Sequence, residues 1–363
     1  MDAPFLALVW RPGGLRLVEL PPTGASGKVT ERWQGRAPGA FGPGRRDLGL
    51  WRAGQRVIVR FPGDPQMPAL RSPDGGRTFA PVPPVPGGQS APLAGCRAHW
   101  NGSVTVLEGE LMPEVRTVPQ VLHRLLPDAG SWDSVELPEA FNAWSVSVLG
   151  SGEPLLGGSW RTPEGGRSAL LRLTPSGTQM IVPPYVRSPG WLWWLRTLLS
   201  EQIDEQFSRV DAAEEPWVLE QVHGPLETDH SVLHLATGRR WRILRLWRDS
   251  ATVWLRPRPG AVRLVMSQGV LRDTPDGGRS WVRHDLMPAA RPLLRARSDW
   301  SLRVSSAAQH GDDLVVVFTA EDWSQPEAEQ LFQTSVLHTC DNGRTARELL
   351  RTEGPEQAVI AVA

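Results

Sequence analysis

The 363-residue chain balances 39 Lys+Arg against 39 Asp+Glu, so it has no general positive field for holding a phosphate backbone. No run of about 18 apolar residues would make a membrane-spanning helix, and the short start from Met1 to Arg11, with Asp2 and no basic residue before Arg11, does not read as a secretory signal. Cys96 and Cys340 stand far apart without metal-type spacing, and read as two reduced thiols of a cytoplasmic protein needing no cofactor or metal.

The 36 Gly and 34 Pro are spread along the chain, which calls for many short elements separated by tight turns. From Phe5 to Trp33 the apolar alternation makes three strands, with a candidate turn at Thr23-Gly24-Ala25-Ser26-Gly27. Residues 72–79 read Ser-Pro-Asp-Gly-Gly-Arg-Thr-Phe, a turn between short extended runs, and a weaker relative follows at Leu126-Pro127-Asp128-Ala129-Gly130-Ser131-Trp132. One unit reads in full as four strands: Trp144 to Leu149, Glu153 to Trp160, Ser168 to Leu173 and Gln179 to Pro183, with Thr174-Pro175-Ser176-Gly177-Thr178 joining the last two.

Residues 188–214 break this pattern. Ser188-Pro189 is a helix-start signal, and Leu192, Leu195, Leu199, Ile203, Phe207 and Val210 recur at three- or four-residue intervals, so a helical insertion is expected. Trp191, Trp193, Trp194, Leu198 and Phe207 are its candidate partner-binding residues; packing on the protein's own surface is the competing use. Strands resume at Trp217, with a weak turn at Ala236-Thr237-Gly238-Arg239-Arg240-Trp241. Two strong turns close the series, Thr274-Pro-Asp-Gly-Gly-Arg-Ser-Trp281 and Thr339-Cys-Asp-Asn-Gly-Arg-Thr345. The last seven residues, 357–363, form an apolar strand with no local partner, and are expected to complete the amino-terminal unit.

The three strong turns share Ser/Thr-x-Asp-x-Gly-x-Ser/Thr: Ser72, Asp74, Gly76 and Thr78; Thr274, Asp276, Gly278 and Ser280, followed by Trp281; and, after Thr339, Asp341, Gly343 and Thr345. An Asp opening a tight turn can accept N–H bonds from its own loop, and Gly two positions on supplies a positive φ. Tryptophans 10, 51, 100, 144, 217, 254 and 300 recur about every 40–50 residues, apart from the gap between Trp144 and Trp217 that holds the expected insertion. Seven units of that length match a β-propeller.

These turns resemble the Asp box, or BNR repeat, of a propeller superfamily that includes sialidases, sortilin-type ectodomains, xyloglucan-degrading enzymes and a photosystem assembly factor. The resemblance implies an all-β, seven-bladed propeller spanning residues 1–363, six or eight blades being the neighbouring counts. In that superfamily the box joins the third and fourth strands of a blade and is structural. The sialidase arginine motif has only a shadow in Val59-Arg60-Phe61-Pro62, and Tyr185 is the only tyrosine. No serine nucleophile elbow is present, Glu108 and Glu110 read as strand-end charges, and His230 and His234 would lie about 13 Å apart on a strand, too far to share an ion. The expected function is therefore a non-enzymatic protein-interaction module, a scaffold or assembly subunit. A glycan-binding or glycoside-hydrolase-like propeller is the alternative. A second is nucleic-acid contact through the local patch Arg239-Arg240-Trp241-Arg242 to Arg245.

Overall fold

The computed structural model describes residues 4–21, 28–36, 48–61, 64–87, 93–99, 101–109, 120–149, 151–162, 165–182, 204–211, 217–223, 228–234, 239–246, 251–255, 261–276, 280–294, 296, 300–322, 332–354 and 357–363. Their backbone forms seven antiparallel sheets of four strands. Sheet I joins β1 (Leu6–Arg11), β2 (Gly14–Glu19) and β3 (Thr30–Gly35) to the last strand, β28 (Ala358–Val362), which pairs with β1. Sheet II holds β4 (Gly49–Ala53), β5 (Arg56–Arg60), β6 (Ala69–Ser72) and β7 (Ala80–Pro81). Sheet III holds β8 (Leu93–Ala98), β9 (Val104–Glu108), β10 (Val121–Leu125) and β11 (Asp133–Glu136). Sheet IV holds β12 (Phe141–Val148), β13 (Pro154–Thr162), β14 (Gly165–Thr174) and β15 (Gly177–Val182). Sheet V holds β16 (Asp204–Asp211), β17 (Trp217–His223), β18 (Thr228–His234) and β19 (Arg239–Leu246). Sheet VI holds β20 (Ala251–Leu255), β21 (Val262–Met266), β22 (Val270–Thr274) and β23 (Val282–Asp285). Sheet VII holds β24 (Ser301–His310), β25 (Asp313–Glu321), β26 (Phe332–Thr339) and β27 (Arg347–Glu353). Six sheets are described with their side chains, and sheet V by its backbone pairing.

Apart from β28, each strand pairs with a chain neighbour and the sheets meander, because two- to several-residue turns separate short alternating runs. In all but sheet I the four strands are consecutive. There β28 supplies the strand that the amino-terminal segment lacks, with Ala363 N–H donating to Leu6 O at 3.0 Å and Leu6 N–H to Ala363 O at 2.8 Å.

The chain divides into two compact units, residues 1–61, 69–82 and 250–363 in one, 62–68 and 83–249 in the other. In the first, sheets stack face to face. Leu271, Leu286, Val304 and Phe318 pack sheet VI on sheet VII, Val9, Val315, Val336 and Val359 pack VII on I, and Leu6, Leu17 and Val57 pack I on II with Trp33 and Phe79 alongside. In the second, Leu107 and Leu122 of sheet III meet Phe141, Leu156 and Leu171 of sheet IV. Each fully buried side chain of this size contributes about 1.5–3 kcal/mol, so the inter-sheet seams, where the apolar faces are buried, carry much of the stability.

The helical expectation for 188–214 is corrected where the structure describes it. Residues 204–211 are β16, paired with β17 from Asp204↔His223 to Asp211↔Trp217, with an irregularity between Gln206 and Arg209. Phe207 and Val210 are as suited to a strand as to a helix face, and pairing with β17 decided between the two periods. Residues 188–203 and 212–214 lie outside the described residues. The helix among the described residues is α1 (Met287–Leu294), between β23 and β24. It is short and contains Pro292; Asp285 Oδ1 accepts the Met287 N–H at 2.9 Å, and Ala290 and Leu294 face the seam between sheets VI and VII.

Candidate functional site

The three strong turns all connect the third strand of a sheet to the fourth. In the first, Asp74 Oδ1 accepts the N–H groups of Arg77 (3.0 Å) and Thr78 (2.9 Å) and the Ser72 hydroxyl (2.8 Å), while Oδ2 accepts the Thr78 hydroxyl at 2.7 Å. The Ser72 oxygen, fully buried, in turn accepts the Gly76 N–H at 2.9 Å. Thr339, Asp341, Gly343 and Thr345 repeat this network, with Thr345 N–H at 2.9 Å and its hydroxyl at 2.7 Å from the carboxylate. Around Asp276, Thr274 and Ser280 make the equivalent bonds at 3.0, 2.9 and 2.7 Å. Gly278 lies outside the described residues, and Trp281 is half-buried beside the turn. Backbone N–H donation, from Thr78 above all, holds the Asp74 carboxyl far below its ordinary range, and the same bond from Thr345 brings Asp341 down to about 2. These carboxylates are committed to their own loops.

The turn glycines also set the spacing between sheets. Gly76 (φ +86) and Gly343 (φ +85) take a conformation that L side chains rarely adopt. A Cβ on Gly76 would collide with Leu17 of sheet I, and one on Gly343 with Leu286 at the end of sheet VI. Each turn is thus seated against the neighbouring sheet's core.

Beside the Asp341 turn, a cleft of about 500 Å³ opens between sheets VI and VII. Arg263 on β21 stands opposite Asp273 on β22 and grips it with Nε and Nη2 at 2.7 and 2.6 Å. Nη2 also donates to Asn342 Oδ1 at 2.5 Å. Asn342 is the one non-glycine residue of positive φ (+58) among the described residues, a conformation Asn tolerates better than other side chains. It occupies the place of Gly75 in the first turn and brings an amide to the cleft. The Arg263 side chain is only 8% exposed, so its charge is both paired and hydrogen-bonded, as burial requires. His284 Nε2 lies 3.6 Å from Asp273 Oδ2. On the opposite wall Gln309 donates from Nε2 to Gly311 O at 2.8 Å, which leaves its Oε1 buried with no donor among the described residues. Asp312 and the exposed Val282 and Pro275 complete the rim.

No family model matches the sequence, and no curated protein matches it. Solved structures do. The β-propeller domain of the Trilobed protease from Pyrococcus furiosus is similar over 93% of this chain and 87% of its own, at 6% identity and a TM-score of 0.52. The fold is a β-propeller. YCF48 bound to D1 peptide is similar over 87% of this chain and 94% of its own, at 13% identity and a TM-score of 0.44. The GH74 enzyme of Niastella koreensis is covered over 55% of its length, so this propeller spans about half of it, at 13% identity and a TM-score of 0.38. At these identities the likeness is one of fold.

The candidate binding residues Trp191, Trp193, Trp194 and Leu198 lie outside the described residues, and Phe207 sits in β16. His230 and His234 share β18, and Arg239 to Arg245 run along β19. No helix among the described residues is long and apolar enough to cross a membrane. Glu108 is not the solvated strand-end charge its position in the sequence suggested. Its side chain is 12% exposed, and the carboxylate meets His123 Nε2 at 2.7 Å. Arg263, Asn342 and Gln309 were missed from sequence because cross-sheet packing brings them together. One signal was present: Asn where the other two strong turns carry Gly.

Proposed function

We propose that this chain is a protein-interaction module, a propeller whose blades are its seven sheets and which grips a short extended segment of a partner protein in the cleft between sheets VI and VII. The observation that carries the reading is Gln309. Its amide nitrogen is held by Gly311 O while its oxygen, buried at the wall, has no donor among the described residues, an arrangement that costs about 1–3 kcal/mol until a ligand N–H fills it. The acceptor character extends to the Asp312 carboxylate, and Arg263 is already neutralised by Asp273. A donor-rich occupant fits: a peptide backbone N–H at Gln309, a Lys or Arg side chain at Asp312, and an apolar side chain on Val282 and Pro275. The cleft volume suits a few residues of peptide rather than a folded domain.

Panning a random peptide library on the purified protein tests this. Enriched peptides should carry a basic residue next to an apolar one, and binding by fluorescence anisotropy should weaken at least tenfold in Gln309→Leu and in Asp312→Lys. Peptides that bind both variants as well as the parent would refute the cleft. A glycan array that lights up where the library stays silent would favour the carbohydrate-binding alternative.

A further inference from the structure

Three neighbouring strands of sheet III, in the compact unit that does not contain the cleft, carry a row of side chains that the interaction reading leaves unused. Ser134 on β11 stands directly opposite His123 on β10, and His123 stands opposite Val106 on β9, two residues from Glu108 on the same face. Ser134 Oγ is 2.9 Å from His123 Nδ1, and His123 Nε2 is 2.7 Å from Glu108 Oε2. The exposure gradient runs along the row: Ser134 is exposed, the His123 side chain is 3% exposed and Glu108 12%. In the neutral imidazole, a hydrogen bond to the Glu108 carboxylate, which can only accept, requires the proton on Nε2, so Nδ1 presents its lone pair to the serine hydroxyl.

We propose that Ser134 is an activated nucleophile that takes an acyl group from an ester. The Ser134 oxygen attacks the ester carbonyl carbon and its proton passes to His123 Nδ1. The resulting imidazolium is stabilised by Glu108 at Nε2. When the tetrahedral adduct collapses, the bond from carbon to the leaving oxygen breaks and His123 returns the proton to that oxygen. The products are an alcohol and a Ser134 ester, and atoms and charges balance.

Strand register supplies the remaining requirement. Leu137 N–H bonds to Gln120 O at 2.8 Å, and hydrogen-bonded and non-bonded pairs alternate along an antiparallel ladder. Counting from that pair, Leu122–Val135 is bonded and His123–Ser134 is not. Two consequences follow for Ser134. Its side chain comes closest to its cross-strand neighbour, and its N–H turns away from β10 toward the outer edge, since β11 ends the sheet. That N–H is a donor for the developing oxyanion next to the attacking oxygen. Behind the row, Trp132 Nε1 donates to Pro83 O at 3.0 Å, and a side chain added at Gly87 would meet the Glu108 carboxylate at 4.0 Å, so the acid, 12% exposed, is shielded while the serine is open.

The test uses the full chain and a fluorophosphonate probe, which transfers phosphorus to an activated serine with loss of fluoride. Intact mass should show one adduct per chain and peptide mapping should place it on Ser134. Ser134→Ala should abolish the adduct while melting like the parent, because the side chain is exposed. Glu108→Gln, which keeps the shape of the row, should label at least tenfold more slowly, and His123→Gln about 100-fold or more. p-Nitrophenyl acetate should release one equivalent of nitrophenol in a burst that Ser134→Ala lacks. Labelling no faster than in urea-unfolded protein, an adduct on another residue, or equal rates for Glu108→Gln and the parent would each overturn the proposal. A purely structural His123 network would lower the melting temperature of His123→Gln and give no adduct in the parent.

Discussion

Replacing Gly343 by Ala tests the claim that the Asp341 turn is seated on the neighbouring sheet. Two costs follow from the structure. At φ +85 an L residue is strained by about 1–2 kcal/mol. The added Cβ would also lie 3.3 Å from Leu286 Cα and more than an ångström inside contact of Leu286 Cδ2. Leu286 is 4% exposed in the seam between sheets VI and VII, so its displacement overpacks a closed core, at about 1–3 kcal/mol. Against these, Ala loses less unfolded-state freedom than Gly, a gain of about 0.4–1 kcal/mol. The net expectation is a loss of about 2–4 kcal/mol. Gly311→Ala is the control: φ is again positive (+58), but a Cβ there meets nothing within 4 Å, so it should cost about 1 kcal/mol or less. Urea unfolding followed by tryptophan fluorescence compares the two. In a Leu286→Ala background the excess cost of Gly343→Ala should vanish, the mark of a direct contact in a double-mutant cycle. If Gly343→Ala and Gly311→Ala are indistinguishable in the parent, the turn does not bear on its neighbour.

Asp341 ties stability to acid. Its folded carboxyl sits at about 2, below the unfolded value near 3.8, so its contribution is present in full above about pH 4 and fades as pH falls toward 2. Asp341→Asn should therefore destabilise at neutral pH, and its difference from the parent should shrink across that window in paired denaturation curves; a difference constant from pH 5 to 2 would contradict the assigned bonds. Gln120 should matter out of proportion to its size. It is 1% exposed and its Oε1 accepts the N–H of Ala143 at 2.7 Å, beside the irregularity in β12, so Gln120→Leu, which fills the space but strands a buried N–H, should cost about 1–3 kcal/mol. Gln120→Ala should cost more by the cavity it adds, and hydrogen exchange at Ala143 should accelerate in both.

Much of the architecture was legible because one local device recurs. All seven turns picked out in the sequence, the three strong ones and the four weak, fall in the chain between the third and fourth strands of the seven sheets. Hydroxyl, Asp and Gly in fixed order work through bonds inside the turn, so they need no tertiary context to be recognised. In the weak turn at 174–178, Ser176 stands in place of Asp, and the Thr174 hydroxyl is 2.9 Å from both the Ser176 hydroxyl and Gly177 O. The four strands of sheet IV and the pairing of β28 follow from alternation in the same way. Strands resume at Trp217 as expected, but Trp217 opens the second strand of sheet V; the first, β16, falls within the stretch expected to be helical, because Phe207 and Val210 fit both periods.

The candidate sites were much less legible, for a reason that separates them from the turns. Arg263, Asn342 and Gln309 come from positions up to 79 residues apart, Arg263 and Asn342 at the extremes, and only the stacking of two sheets brings them together. Ser134, His123 and Glu108 belong to one sheet, yet their alignment depends on which residue of β10 faces which residue of β11. A shift of one residue would send His123 to the opposite face. The register is fixed by Leu122 and Leu137, both buried toward sheet IV, so the apolar seam on one face of sheet III determines the polar row on the other. Core packing of the kind a sequence displays openly thereby sets chemistry that the sequence conceals. Leu122→Ser should then slow fluorophosphonate labelling of Ser134 although the Leu122 side chain lies on the opposite face of the sheet from the three residues, whereas a labelling rate unchanged in a still-folded variant would break that link.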